Sequence, residues 1–121
     1  MLLKGMEPIL LPEVFVFCTV THAKYGDYAE CEPFAVIREK EGLTLVVAKD
    51  KAAGLDFGTT PMRCISLTVH SSLDAVGLTA AIATKLTTLG ISANVIAGFY
   101  HDHIFVPANR ASDAVAALQS F

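Results

Sequence analysis

Charge is scarce in this chain of 121 residues: only 17% are Asp, Glu, Lys or Arg, and nine basic against twelve acidic residues leave a net charge near −3. No basic stripe runs through the chain, so nucleic acid is not an expected partner, because phosphates are met by clustered Lys and Arg. No apolar run nears the roughly 18 residues of a membrane span, so no membrane partner is expected either. Met1-Leu2-Leu3-Lys4-Gly5 lacks a basic n-region, a full apolar h-region and a small-residue cleavage site, and does not read as a secretory signal. Cysteines are few and odd in number: Cys18, Cys31 and Cys64. Their spacings fit no metal knuckle, and Cys18 and Cys64 lie in apolar, strand-like runs. A reduced, cytoplasmic protein with thiols acting as small buried hydrophobes follows as the expectation. G-x-S-x-G, Walker, G-x-G-x-x-G and C-x-x-C signatures are all missing, so no catalytic residue and no cofactor is nominated.

What is present is apolar surface. Hydrophobic residues make up 53% of the chain, which excludes disorder. The length suits a single domain by size alone and supports a core without disulfide or metal staples. Low charge with high apolar content implies buried surface beyond one small core, hence a homo-oligomer, dimeric or higher.

Val14 to Val20 is β-branched and aromatic and predicts a strand. Thr21 to Pro33 is polar and mixed, with room for one helical turn. Phe34–Glu39 and Leu43–Ala48 read as strands joined at Lys40-Glu41-Gly42, with Gly42 supplying positive φ. Lys49 to Leu55 reads as a short helix, and Phe57 to Pro61 as a break between halves. Met62–His70 is a further strand. Ser71-Ser72-Leu73-Asp74 leads to a helix with Asp74 as its N-cap. Leu78, Ile82, Leu86 and Leu89 recur at helical spacing to form one apolar face, and Gly90 ends the helix. Ile91–Gly98 and Phe99–Pro107 read as strands with a turn around Tyr100 to Asp102. A closing helix over Asn109–Phe121 would turn Ala114, Val115, Leu118 and Phe121 to the sheet. The order is β-loop-β-β-α, then β-α-β-β-α: two halves, 1–60 and 61–121, on one plan. An α+β fold with antiparallel sheets and helices on one face follows.

The loop Ser71 to Leu78 is the leading candidate site. A helix N-terminus gathers orphan N–H groups and partial positive charge, which receive a carboxylate or phosphate. Gly77 lets a ligand or a neighbouring strand come close. Ser71 and Ser72 add hydroxyls, and Asp74 could pair with an ammonium, so the set suits a zwitterion; an ordinary capped helix explains the same residues. His70, His101 and His103 raise a metal reading. His101 and His103 share a face on a strand, but a closed zinc site needs three or four ligands and no third is specified nearby. No metal site is assigned. His22, Lys24, Tyr25 and Asp27 form a polar cluster on the first loop, readable as a lid, a partner surface or a solvated loop.

Asp74-x-x-Gly77-Leu78, followed by Ile82, Leu86 and Leu89-Gly90-Ile91, resembles an ACT domain. Ser92 stands where that family usually has Asn, with Asn94 two positions on. Phe99-x-x-Asp102-x-Ile104-Phe105-Val106 resembles the hairpin of the ACT subgroup related to cytosolic arginine sensors, with His103 at the position of the usual Tyr. With Phe17-Cys18-Thr19-Val20, Tyr25-Gly26-Asp27-Tyr28 and Glu32-Pro33-Phe34-Ala35, nearly the whole chain resembles a small bacterial family of tandem ACT-like proteins with no assigned catalysis. The resemblance implies ferredoxin-like βαββα units in tandem. It also implies a small-molecule ligand, typically an amino acid, held between paired units by Ser72, Leu73, Asp74, Val76, Gly77 and Leu78 from the loop. Ser92 and Asn94 on the strand, and Phe99 and Asp102 on the hairpin, complete the implied set. The expected function is a non-catalytic amino-acid sensor. An interaction module without ligand, or a small His-dependent enzyme, is the alternative.

Overall fold

The computed structural model describes residues 7–56, 60–68 and 77–120. They form two compact units. One spans residues 13–62; the other joins the start of the chain, from Glu7 to Pro12, to the described residues from Arg63 onward.

In the first unit, β1 (Glu7–Thr21), β2 (Ala35–Glu39) and β3 (Gly42–Ala48) run in the order β2-β3-β1. Both pairings are antiparallel; β1 meets β3 from Phe15↔Ala48 to Thr21↔Gly42, and β2 meets β3 from Ala35↔Val46 to Glu39↔Gly42. β1 extends well upstream of the predicted start at Val14. The β2–β3 turn needs glycine for two reasons. Gly42 has φ 148, and a Cβ there would lie 2.3 Å from the Val20 carbonyl oxygen and 2.7 Å from the His22 nitrogen. Val16, Cys18, Leu43, Leu45 and Val47 share one face by the period of two and are buried with Ala52. No α-helix among the described residues covers them. A strap from His22 to Phe34 brings Ala23, Tyr28 and Cys31 onto this face, and Leu55 packs beside them. The strap holds one 3-10 turn, Ala29–Cys31. The helix predicted over Lys49–Leu55 is only a second such turn, Lys49–Lys51.

In the second unit the strand order is β1-β4-β6-β5, with β4 at Met62–Thr68, β5 at Asn94–Ala97 and β6 at Asp102–Pro107. Helix α1 (Leu78–Thr88) follows β4, and α2 (Ala111–Gln119) closes the described chain. Ile65, Leu67, Ile104 and Val106 from the strands meet Ile82, Leu86, Ala114 and Leu118 from the helices in one buried cluster, with Leu10 of β1, Leu78 and Val115 packed against it. Burying each Leu or Ile contributes on the order of 1.5–3 kcal/mol. Phe121 lies outside the described residues.

The predicted apolar face of α1 needs one correction: Leu89 is 46% exposed. The helix ends at Thr88, and Gly90 takes φ 70. Gly90 N–H then donates to the Thr87 carbonyl at 2.9 Å, and Ile91 N–H to the Leu86 carbonyl at 2.9 Å. This left-handed exit satisfies two terminal carbonyls and turns Ile91, rather than Leu89, into the core. The next strand therefore begins only at Asn94, not at Ile91.

Candidate functional site

Helix α1 does not begin with Asp74 as its cap. Its N-cap is Gly77, at φ 96, whose carbonyl accepts the first helical bond from Ala81 at 2.8 Å. A left-handed residue at the cap is a backbone requirement that side-chain preference does not announce, and glycine meets it without strain. Glycine offers the first-turn N–H groups no side-chain oxygen of its own. A Cβ at Gly77 would meet nothing within 4 Å, so this end of α1 is open among the described atoms. Leu78 is the first helical residue and half-buried. Ser72, Leu73, Asp74 and Val76, with His70 and Ser71, lie outside the described residues.

Ser92 precedes β5 and is exposed, as is Asn94 at its start. Asn94 pairs with Phe105, whereas Asp102 pairs with Ala97. Ile104, two residues from Asp102 and so on the same face, belongs to the helix-packed core together with Val95. Asn94 and Asp102 therefore project to opposite faces of the hairpin, so its two candidate polar groups do not converge. Phe99 and Tyr100 occupy the hairpin tip, 79% and 78% exposed, with their rings edge-on at 5.1 Å. The tip is closed by the Gly98 N–H donating to the His101 carbonyl at 2.9 Å.

Two hydroxyls that sequence reasoning missed meet the histidines. Ser66 Oγ lies 2.8 Å from His103 Nδ1, and Thr68 Oγ1 lies 3.2 Å from His101 Nδ1. The rows align because β4 and β6 are neighbours and both alternate: Ile65 and Leu67 face the core, while Ser66 and Thr68 stand on the other side. The signal was the pair of period-two polar rows, Ser66-x-Thr68 and His101-x-His103. The imidazole rings are 6.2 Å apart. Burial first, then the neighbouring His101, pushes the His103 pKa down, against a smaller opposing pull from Asp102. The arrangement presents a hydrogen-bonding wall of two hydroxyls and two imidazoles. Among the described residues, no group of three or more His, Cys, Asp or Glu could hold a metal ion.

In the first unit, Lys24 N–H donates to Asp27 Oδ2 at 2.9 Å, and Asp27 N–H returns to the Lys24 carbonyl at 2.9 Å. This tight turn leaves Tyr25 exposed at the strap's tip. His22 sits at the strap's entry with φ 64. An open cleft of about 480 Å³ is lined by Glu13, Val14, Ala48, Lys49 and Asp50. No helix among the described residues is long and apolar enough to cross a membrane.

No functionally curated protein matches the chain. Among solved structures, a Vibrio cholerae protein of unknown function, described as a possible transport protein, is 54% identical over 98% of this chain and 91% of its own, with a TM-score of 0.90. An Agobacterium tumefaciens protein is 19% identical over 95% of this chain and 87% of its own, with a TM-score of 0.76. The regulatory subunit of aspartate kinase from Thermus thermophilus, in a ligand-free form, is 12% identical over 99% and 97%, with a TM-score of 0.67; at that identity the likeness concerns the fold. ACT domain family models match residues 1–61 and 59–120. The chain belongs to the ACT domain family and carries two such domains in tandem.

Proposed function

We propose that this protein is a non-catalytic regulatory module that binds an amino acid or a similar zwitterion and acts as a cytoplasmic homo-oligomer. Its two family modules are the halves 1–60 and 61–121. ACT domains bind amino acids and assemble, and both halves match that family. The observation that supports the reading is the glycine cap of α1, which leaves the helix start uncovered among the described residues, where the family's D-x-x-G-L sequence stands. First-turn amides would take the ligand carboxylate, and Asp74 its ammonium. Three free thiols suit a reducing compartment.

A thermal-shift screen against the twenty amino acids tests this. A ligand at 100 times its Kd adds about 2.7 kcal/mol, a shift on the order of ten degrees for a domain of this size. One selective shift identifies the ligand; a flat panel sinks the amino-acid reading. Gly77→Val is an unsuitable blocking variant, because a β-branched residue at φ 96 strains the backbone. Gly77→Asn tolerates left-handed φ and still adds a side chain at the open end. It is expected to keep the fold and to lose most of the ligand shift.

The exposed Phe99–Tyr100 pair supports a second reading, a protein-interaction module without ligand. Paired aromatics at a hairpin tip serve as binding anchors. A flat screen together with capture of a partner that is lost in Phe99→Ala would favour it.

A further inference from the structure

We propose that Cys18 and Cys31 form a redox-modification site, in which a peroxide-class oxidant converts the pair to a disulfide that ties the strap to β1. This inference is independent of any ligand reading.

The two cysteines share one apolar cluster. Cys18, on β1 and 2% exposed, lies in its floor beside Val16 and Leu45; Cys31 packs against it from the strap, half-buried. The turn that holds Cys31 is bracketed by two non-glycine left-handed residues, Tyr28 at φ 67 and Glu32 at φ 48. His22, at the strap's entry, is a third. Such backbone is costly and gathers at clamps and switches. Disulfide geometry demands close Cα approach. The turn itself is held by single-turn bonds, Cys31 N–H to the Tyr28 carbonyl and Glu32 N–H to the Ala29 carbonyl, both at 3.0 Å, between strap ends anchored by His22 N–H to the Glu41 carbonyl and Phe34 N–H to the Val46 carbonyl. It can settle toward β1, whereas β1 is fixed in its ladder to β3.

The surroundings assign the roles. Glu32 is paired with Lys51, and the Lys51 ammonium lies within electrostatic reach of Cys31. Cys31 is the half-buried thiol of the two and so the one that peroxide reaches first. Cys18 is buried, and that burial, then the nearby Cys31 and Asp56, pushes its thiol up, so it is the less reactive toward peroxide and is left the resolving role. Cys31 sulfur attacks hydrogen peroxide; an S–O bond forms, the O–O bond breaks, and sulfenic acid and water result. Cys18 sulfur then attacks the sulfenic sulfur. The S–S bond forms, the S–O bond breaks, and the Cys18 proton leaves with hydroxide as water. Two thiols are oxidised and one peroxide is reduced.

The test treats the full chain with hydrogen peroxide, alkylates the remaining thiols and maps peptides without reductant. The expected product joins Cys18 to Cys31 while Cys64, buried in the other unit, is alkylated after unfolding. Melting should rise by about 5–10 °C and fall back on reduction. Cys31→Ser, at a half-buried position, should fold and lose both effects. Over-oxidation of Cys31 with Cys18 still alkylated, or a cross-link through Cys64, would overturn the pairing. A Cys18–Cys31 bond with unchanged melting would overturn the tying of the strap.

Discussion

Two helices close one face of the β4-β6-β5 strands, whereas a strap with a single 3-10 turn, joined by Ala52 and Leu55, closes one face of β1 and β3. The floors are alike: rows of Val, Leu and Ile spaced by two, buried to the same degree. The covers differ in how their backbone groups are satisfied. α1 and α2 satisfy themselves internally, and where α1 stops, Gly90 and the Arg110 guanidinium, 3.0 Å from the Leu89 carbonyl, take up its end. The strap has no such ladder and turns instead through left-handed residues, which cost conformational energy. A shared family plan therefore fixes the sheet floor more tightly than the roof over it.

Paired truncations test that contrast with the largest effect. Leu86→Ala and Leu45→Ala each remove a fully buried side chain, and such changes cost about 2–5 kcal/mol according to how far the site collapses. Leu86→Ala should fall near the upper end, under rigid helices, and Leu45→Ala near the lower end, under a strap that can sink. Equal losses in urea unfolding would show the strap to be as stiff as the helices.

Two glycines give the next contrast. Gly42→Ala drives a Cβ into the Val20 and His22 backbone and should cost about 3 kcal/mol. Gly90→Ala meets open space and bears only the left-handed penalty, about 1 kcal/mol. Thermal melts of the two variants rank them directly.

A pH titration gives the smallest effect and separates the units. The folded His103 pKa is lowered from 6.5, so the unfolded chain binds the proton more readily. Its contribution is present above pH 6.5 and is lost as pH falls through 6.5 toward the folded value. Amide protection factors in β4 and β6 should fall over that window, while those in β2 and β3 stay unchanged. His103→Gln should flatten the response.

Periodicity was enough to read Ile82, Leu86, Ala114 and Leu118 as core, and the β2–β3 hairpin with it, because burial rewards spacing of two or of three to four. The upstream reach of β1 contains Pro8 and Pro12, and proline, which donates no ladder bond, gives no strand signal although it is compatible with positions that need no donor. The α1 start was hidden because positive φ at Gly77 leaves no trace in hydrophobic spacing. For the candidate site, local sequence nominated Gly77 and Leu78, which stand at the N-cap and first residue of α1. The opposite facing of Asn94 and Asp102, and the Ser66–His103 contact, depend on strand register, which is settled by pairing rather than by either strand alone.

One strand, β1, belongs to both units. Its opening residues serve the helical unit, where the Arg63 guanidinium reaches the Leu11 carbonyl at 2.7 Å, and the rest serves the strap unit. The family matches part company near residue 60, but the compact units part at Pro12 and Met62. A scissor placed at the family boundary would strip the C-terminal fragment of a strand it owns and leave β4 with an open rim. Such a fragment would borrow the missing strand from another copy, or accept a synthetic peptide of residues 7–12 in its place.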